Sequence, residues 1–239
     1  MTEIIPAILV REFHELKSTL SRLVGVAETV QIDFCDGVYV PSKTWPYTQG
    51  ITEEGEPVDN GFQKIINEEE GMPFWNDFEF EFHLMVKDAH KNFDTFIKLG
   101  AKAILFQLEA EGDIKDFKEF LEGIDLYVKE NVEIGLSIDI DTDLELVYPL
   151  VPLVSFVQCM GIAKIGYQGQ GFDDRALERV RLLRAKFPDL VITVDGSVNL
   201  DTAPKIIKAG ATNLVVGSAL WKDNDPYGAI IEMQEEIIK

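Results

Sequence analysis

The stretch QIDFCDG, residues 31–37, sets two carboxylates and a thiol in a run that otherwise reads as a buried β-strand closed by a turn. Side chains alternate between the faces of a strand, so Gln31, Asp33 and Cys35 share one face. The same alternation groups Glu81, His83 and Met85 in EFEFHLMV (79–86), and Thr193 with Asp195 in LVITVDG (190–196). A buried charge is costly unless it is paired or holds a metal. Converging, Asp33, His83 and Asp195 would offer one divalent cation two carboxylates and an imidazole, with the amide oxygen of Gln31 as a fourth donor. Taken singly, each reads as a polar residue satisfied at a strand end; three strands delivering metal-competent side chains at one level favour a site. His83 is the informative histidine, because His14 and His90 fall in expected helices beside charged neighbours and read as solvated surface residues.

A second pattern is glycine. KIGYQGQGF (164–172), DGS (195–197) and VGS (216–218) each follow an expected strand, the sixth, seventh and eighth in order. One by one these are ordinary turn glycines. Clustered after consecutive late strands of a barrel, their backbone N–H groups form an anion cradle suited to phosphate, without need of an arginine cluster.

The elements that would carry these groups alternate along the whole chain. Strand candidates at 4–10, 30–34, 79–86, 102–109, 133–139, 154–160, 190–196 and 212–218 are separated by amphipathic segments. In the segment at 173–187, Leu177, Val180, Leu182 and Leu183 are assigned to one side. Gly100 and Gly210 stand where a left-handed residue ends a helix before the next strand. Eight βα units in 239 residues predict a single-domain α/β fold over 1–239, a closed (β/α)8 TIM barrel. An open doubly wound sheet is the alternative, but no glycine-rich turn follows the first strand. Residues 41–77 break the rhythm as a long, proline-punctuated connection after strand 2, with a short helix expected over 62–69. The expectation is a cover over the barrel mouth, or a subunit contact made by Trp45, Tyr47, Phe74 and Trp75.

With 22 Lys plus Arg against 42 Asp plus Glu, the net charge is −20, which disfavours nucleic acid and anionic membrane surfaces as partners. Cys35 and Cys159, the two cysteines, lie in apolar strand-like runs and predict free thiols in a reducing compartment. The apolar run near the N-terminus is too short to span a bilayer and lacks a basic start, so the expected location is the cytoplasm.

Together, IIPAILV, QIDFCDGVYVP, FHLMVKD, FQLEA, GLSIDIDTDLE, YQGQGFDDRALERVRLLR and VDGSVNLDTAPKIIKAGATNLVVGSALW, in this order and spacing, resemble the ribulose-phosphate 3-epimerase family over nearly the whole chain. The resemblance implies a metal-dependent isomerase of carbohydrate metabolism that inverts C3 of a pentulose 5-phosphate through an ene-diolate, and an oligomeric assembly. By position, Asp33 and Asp195 are the implied acid/base pair and also metal ligands, and His83 is a ligand to Zn, Mn, Fe or Mg. Met85 and Met160, with Cys35, are implied to line the intermediate. Gly166, Gly169, Gln170, Gly196, Ser197, Gly217 and Ser218 are the implied phosphate grip.

Departures from the family pattern cluster at the substrate end. Gln31 and Gln107 stand where the family usually has histidine, Ala7 where it has serine, Cys35 where it has methionine and Asp139 where it has asparagine, while Glu109 is retained. Ala163 and Lys164 occupy a lid position where the family tends to Asn-Pro. Two other readings follow: a Schiff-base aldolase using Lys164, and a sugar-phosphate-binding barrel without turnover.

Overall fold

The computed structural model describes residues 2–52, 55–166, 170–222 and 224–238. Eight strands hydrogen-bond in sequence order as a closed parallel barrel: β1 (Glu3–Ile8), β2 (Thr29–Cys35), β3 (Glu79–Met85), β4 (Ala101–Gln107), β5 (Glu133–Ile138), β6 (Phe156–Met160), β7 (Val191–Asp195) and β8 (Asn213–Val216). The (β/α)8 expectation holds, and the open sheet is set aside. Six of the eight strands end one to two residues before their apolar runs do, whereas β2 runs one residue further, to Cys35, and β6 ends as expected at Met160; Glu109, expected at the end of β4, sits in a 3-10 turn, Leu108–Ala110. Contacts gather the chain into two compact units, Ile8–Ile134 and Met1–Ala7 with Gly135–Lys239.

In the unit Ile8–Ile134, β2 and β3 pair so that Gln31, Asp33 and Cys35 lie beside Glu81, His83 and Met85. The alternate face is aromatic: Phe34 stacks on Phe82 with ring centroids 5.1 Å apart and meets Trp45 edge-on at 5.8 Å. Both faces are buried, as parallel strands require. The expectation for residues 41–77 needs correction. Trp45 and Tyr47 are core residues, 0% and 2% exposed, and of the four named aromatics Phe74 and Trp75 are the two that reach solvent. Buried Asp59 anchors this segment, accepting from Trp45 Nε1 at 2.9 Å, Gln49 Nε2 at 2.6 Å and Phe62 N at 2.9 Å. By taking the Phe62 amide it caps a helix that spans Asn60–Ile66 rather than 62–69.

In the other unit, β1 pairs with β8, and β5 to β8 follow in register, which sets Met160 beside Asp195 and Gln158 beside Thr193. The helix Arg175–Lys186 buries Ala176, Leu177, Val180 and Leu183. Leu182 is 44% exposed, contrary to its assignment, because two residues past Val180 is more than half a turn away at 100° per residue. Gly100 and Gly210 take the expected left-handed conformation, with φ of 82° and 115°. Among the described residues no helix is long and apolar enough to cross a membrane.

Candidate functional site

The acidic centre of the unit Ile8–Ile134 is Asp33, two residues before the end of β2. Its position is set by a residue eleven positions on: Thr44 Oγ1 donates to the carbonyl of Asp33 at 2.7 Å and accepts from Cys35 N at 2.8 Å. Thr44 N closes the latch on the carbonyl of Cys35 at 3.1 Å. One buried threonine thus satisfies the backbone groups that a strand exposes where its ladder ends.

Around the Asp33 carboxylate the side chains form a continuous polar line. Gln31 Nε2 donates to Asp33 Oδ1 at 2.8 Å, and His83 Nδ1 faces the same oxygen at 3.4 Å. On its far side His83 Nε2 meets Gln107 Oε1 at 3.0 Å, and Gln107 Nε2 donates to Glu109 Oε2. Gln31, Asp33, His83 and Gln107 are all buried. Above Asp33 the lining is sulfur, with Cys35 Sγ 4.0 Å from Met85 Sδ. Burial, with the Asp33 charge as a second cause, pushes the Cys35 thiol up to about 12, so this sulfur stays a protonated, soft wall.

In the second unit the acid is Asp195, the last residue of β7 and 9% exposed. Gln158 Nε2, on the neighbouring strand, lies 3.4 Å from Asp195 Oδ2 and 3.8 Å from Met160 Sδ, and Ser137 Oγ donates to that sulfur at 3.4 Å. The chain then turns sharply. Ser197 adopts a left-handed φ of 56°, and its carbonyl accepts from Asn199 Nδ2 at 3.0 Å and Thr202 Oγ1 at 3.1 Å. Its hydroxyl donates to the carbonyl of Gln170, whose own amide reaches the carbonyl of Lys164. Behind this turn Gly161 admits no side chain, since a Cβ there would stand 2.4 Å from the Gly196 oxygen. Gly217 precedes the short helix Ser218–Trp221. Gly166 is buried, and Gly169 lies outside the described residues.

Three expectations about polar residues meet the structure unevenly. His14 is exposed as expected. His90 is not a solvated residue: its Nδ1 bonds Glu111, a buried acid whose ionisation burial opposes, and its ring packs against Phe117 and Phe120. Lys164 has an exposed side chain, whereas a Schiff-base lysine is activated by desolvation or a neighbouring cation. Residues that sequence reasoning passed over include Thr44 and Gln158. A glutamine inside the apolar run FVQCM is a signal that could have found the latter.

The profile of the ribulose-phosphate 3 epimerase family matches residues 3–221. The chain belongs to this family. It is 29% identical over 239 residues to the ribulose-phosphate 3-epimerase of Eremothecium gossypii, covering 98% of this chain and 92% of that one. To the Bacillus subtilis protein of the same name it is 27% identical over 240 residues, covering 98% and 99%. A rice relative at 27% identity, covering 98% of this chain and 94% of that protein, is named a cytoplasmic isoform. Among solved structures, a 3-hexulose-6-phosphate synthase superposes with a TM-score of 0.67 at 18% identity, covering 99% of this chain and all of that one. A 3-keto-L-gulonate-6-phosphate decarboxylase from Vibrio cholerae gives 0.68 at 13% identity, covering 99% and 97%. At such identities these structures speak for the barrel alone.

Proposed function

We propose that this member of the family is a metal-dependent epimerase that inverts C3 of a ketose phosphate, interconverting ribulose 5-phosphate and xylulose 5-phosphate or a close analogue. The observation that carries the reading is the pair of buried donors on β2 and β3, with His83 Nδ1 3.4 Å from Asp33 Oδ1. An ion about 2.0–2.2 Å from each donor spans that separation with little movement of either. Asp195, a buried acid at the end of β7, is the second carboxylate that the family resemblance supplies. The set of two carboxylates and one imidazole suits Zn, Mn, Fe or Mg.

When bound, such a cation supplies Lewis acidity toward the carbonyl and the oxygen charge of the ene-diolate. The rest falls to the chain. The C3 proton is acidic because it lies next to the C2 carbonyl. One aspartate takes it from one face of the sugar, and the other returns a proton to the opposite face. One C–H bond breaks and one forms; the first acid ends protonated and the second ionised, and exchange with solvent resets them. Cys35, Met85 and Met160 give the planar intermediate a polarisable, water-poor lining. Gly196, Ser197, Gly217 and Ser218, with Gly166, Gly169 and Gln170, are read as the phosphate grip. Backbone amides are what a chain of net charge −20 can offer an anion without a basic cluster.

The test is interconversion of the two pentulose phosphates by the purified chain, before and after chelation. Turnover that falls on chelation and returns with Mn2+ or Zn2+ supports the reading; no turnover with any of the four metals contradicts it.

A further inference from the structure

The line of side chains through His83 takes its polarity from its far end, where Gln107 donates to Glu109. An ionised Glu109 offers only acceptors, so the end of Gln107 that faces it is the amide NH2. That turns the Gln107 carbonyl oxygen toward His83, 3.0 Å from Nε2. A carbonyl oxygen only accepts, so Nε2 carries the ring proton. In the neutral imidazole Nδ1 is then a bare lone pair, and it is the nitrogen that faces Asp33 Oδ1 at 3.4 Å. The same logic fixes Gln31: facing the Asp33 carboxylate at 2.8 Å, it presents its N–H end to the acid. Gln31, His83 and Gln107 are fully buried, so solvent cannot scramble these orientations.

We propose that Gln31 and Gln107 are a pair of positioning residues. Gln107, oriented by Glu109, locks His83 as the Nε2–H tautomer with Nδ1 bare toward the cation. Gln31 aims Asp33 by donating to it, so its contribution is that hydrogen bond and not coordination through its oxygen. A lone pair and a carboxylate oxygen facing each other repel, and a shared cation turns that repulsion into two ligand bonds. The purpose of the arrangement rests on the metal-dependent reading above, whereas the tautomer is a property of the chain by itself.

The experiment is nitrogen NMR of the metal-free chain labelled at histidine, with the His83 signal assigned by its loss in His83→Asn. It is paired with calorimetric titration of Mn2+ into the unaltered chain, Gln107→Met and Gln31→Met. The expected result is a protonated Nε2 and a bare Nδ1 in the unaltered chain. Gln107→Met should give a mixture of tautomers and Mn2+ affinity weakened about 10- to 100-fold. Gln31→Met should weaken Mn2+ binding while leaving the tautomer unchanged. A protonated Nδ1 in the unaltered chain overturns the proposal, and this measurement needs no variant to fold. So does a folded Gln107→Met or Gln31→Met that binds Mn2+ within twofold of the unaltered chain. A chain that shows the Nε2–H tautomer but takes up no Mn2+ overturns the metal role of both glutamines together with the metal-dependent reading, and leaves only the tautomer assignment in place.

Discussion

His83 Nδ1 lies 3.4 Å from Asp33 Oδ1, and the two residues are register partners on adjacent strands. An imidazole nitrogen set against a buried carboxylate is the pair of donors that the proposed metal-dependent reading uses. Saturation with Mn2+ at about 100 times Kd should stabilise the fold by about 2.7 kcal/mol. For a chain of this size that is a rise in Tm on the order of 5–10 °C, read by thermal denaturation with and without chelator. Asp33→Asn and His83→Ala should each abolish most of the rise. A rise of equal size in the double variant would place the ion elsewhere.

Thr44→Val keeps the shape of the latch on β2 and removes its hydroxyl. The Asp33 carbonyl and the Cys35 amide each lose a partner in a buried place, at a cost of about 2–3 kcal/mol. Denaturant unfolding should show that loss, and Thr44→Ser should recover most of it. Turnover should fall further than stability suggests, because Asp33 is aimed by the backbone that the latch holds.

Asp59→Ala removes the acceptor for three donors, one of them the buried Trp45 indole. Loss of the helix cap and of the indole partner together should cost about 3 kcal/mol. Equilibrium unfolding in urea measures it; a change below about 0.5 kcal/mol would show that residues 41–77 are held by packing alone.

Cys35 and Cys159 are both pushed up to about 12 by burial, and Arg179 only partly opposes the rise at Cys159. At pH 8 roughly one thiol in ten thousand would be thiolate. Iodoacetamide should therefore leave both unlabelled in the native protein and label both in urea, as counted by mass spectrometry. Rapid native labelling of Cys35 would mean that the end of β2 is open to solvent.

What could be read in advance was whatever depends on period and spacing. The two-residue alternation of strands placed Gln31, Asp33 and Cys35 on one face and grouped Glu81, His83 and Met85 in the same way, and Gly100 and Gly210 marked helix ends; the register that sets the two groups side by side belongs to the strand pairing. Contacts between distant positions left no such trace. Thr44 reaches back eleven residues to Asp33, and His90 pairs with Glu111 across 21. Trp45 and Tyr47 show why an aromatic residue in a loop is ambiguous: the same side chain can cover a mouth or fill a core, and here Asp59 draws Trp45 inward. Leu182 fell to a coarser error, since a leucine in an amphipathic helix need not lie on its buried stripe. The hydrogen bonds of Gln31 and Gln107 needed coordinates, because an amide's orientation is set by its neighbours.

The most direct measurement follows the C3 proton in deuterated water, using each pentulose phosphate separately with the unaltered chain, Asp33→Asn and Asp195→Asn. The unaltered, metal-loaded chain should invert C3 with deuterium in the product. Each single variant should lose inversion, and each should keep exchange at C3 of one epimer only, the two variants serving opposite epimers. An unaltered chain that neither inverts nor exchanges, or two variants that exchange both epimers alike, would contradict a pair of opposed aspartates.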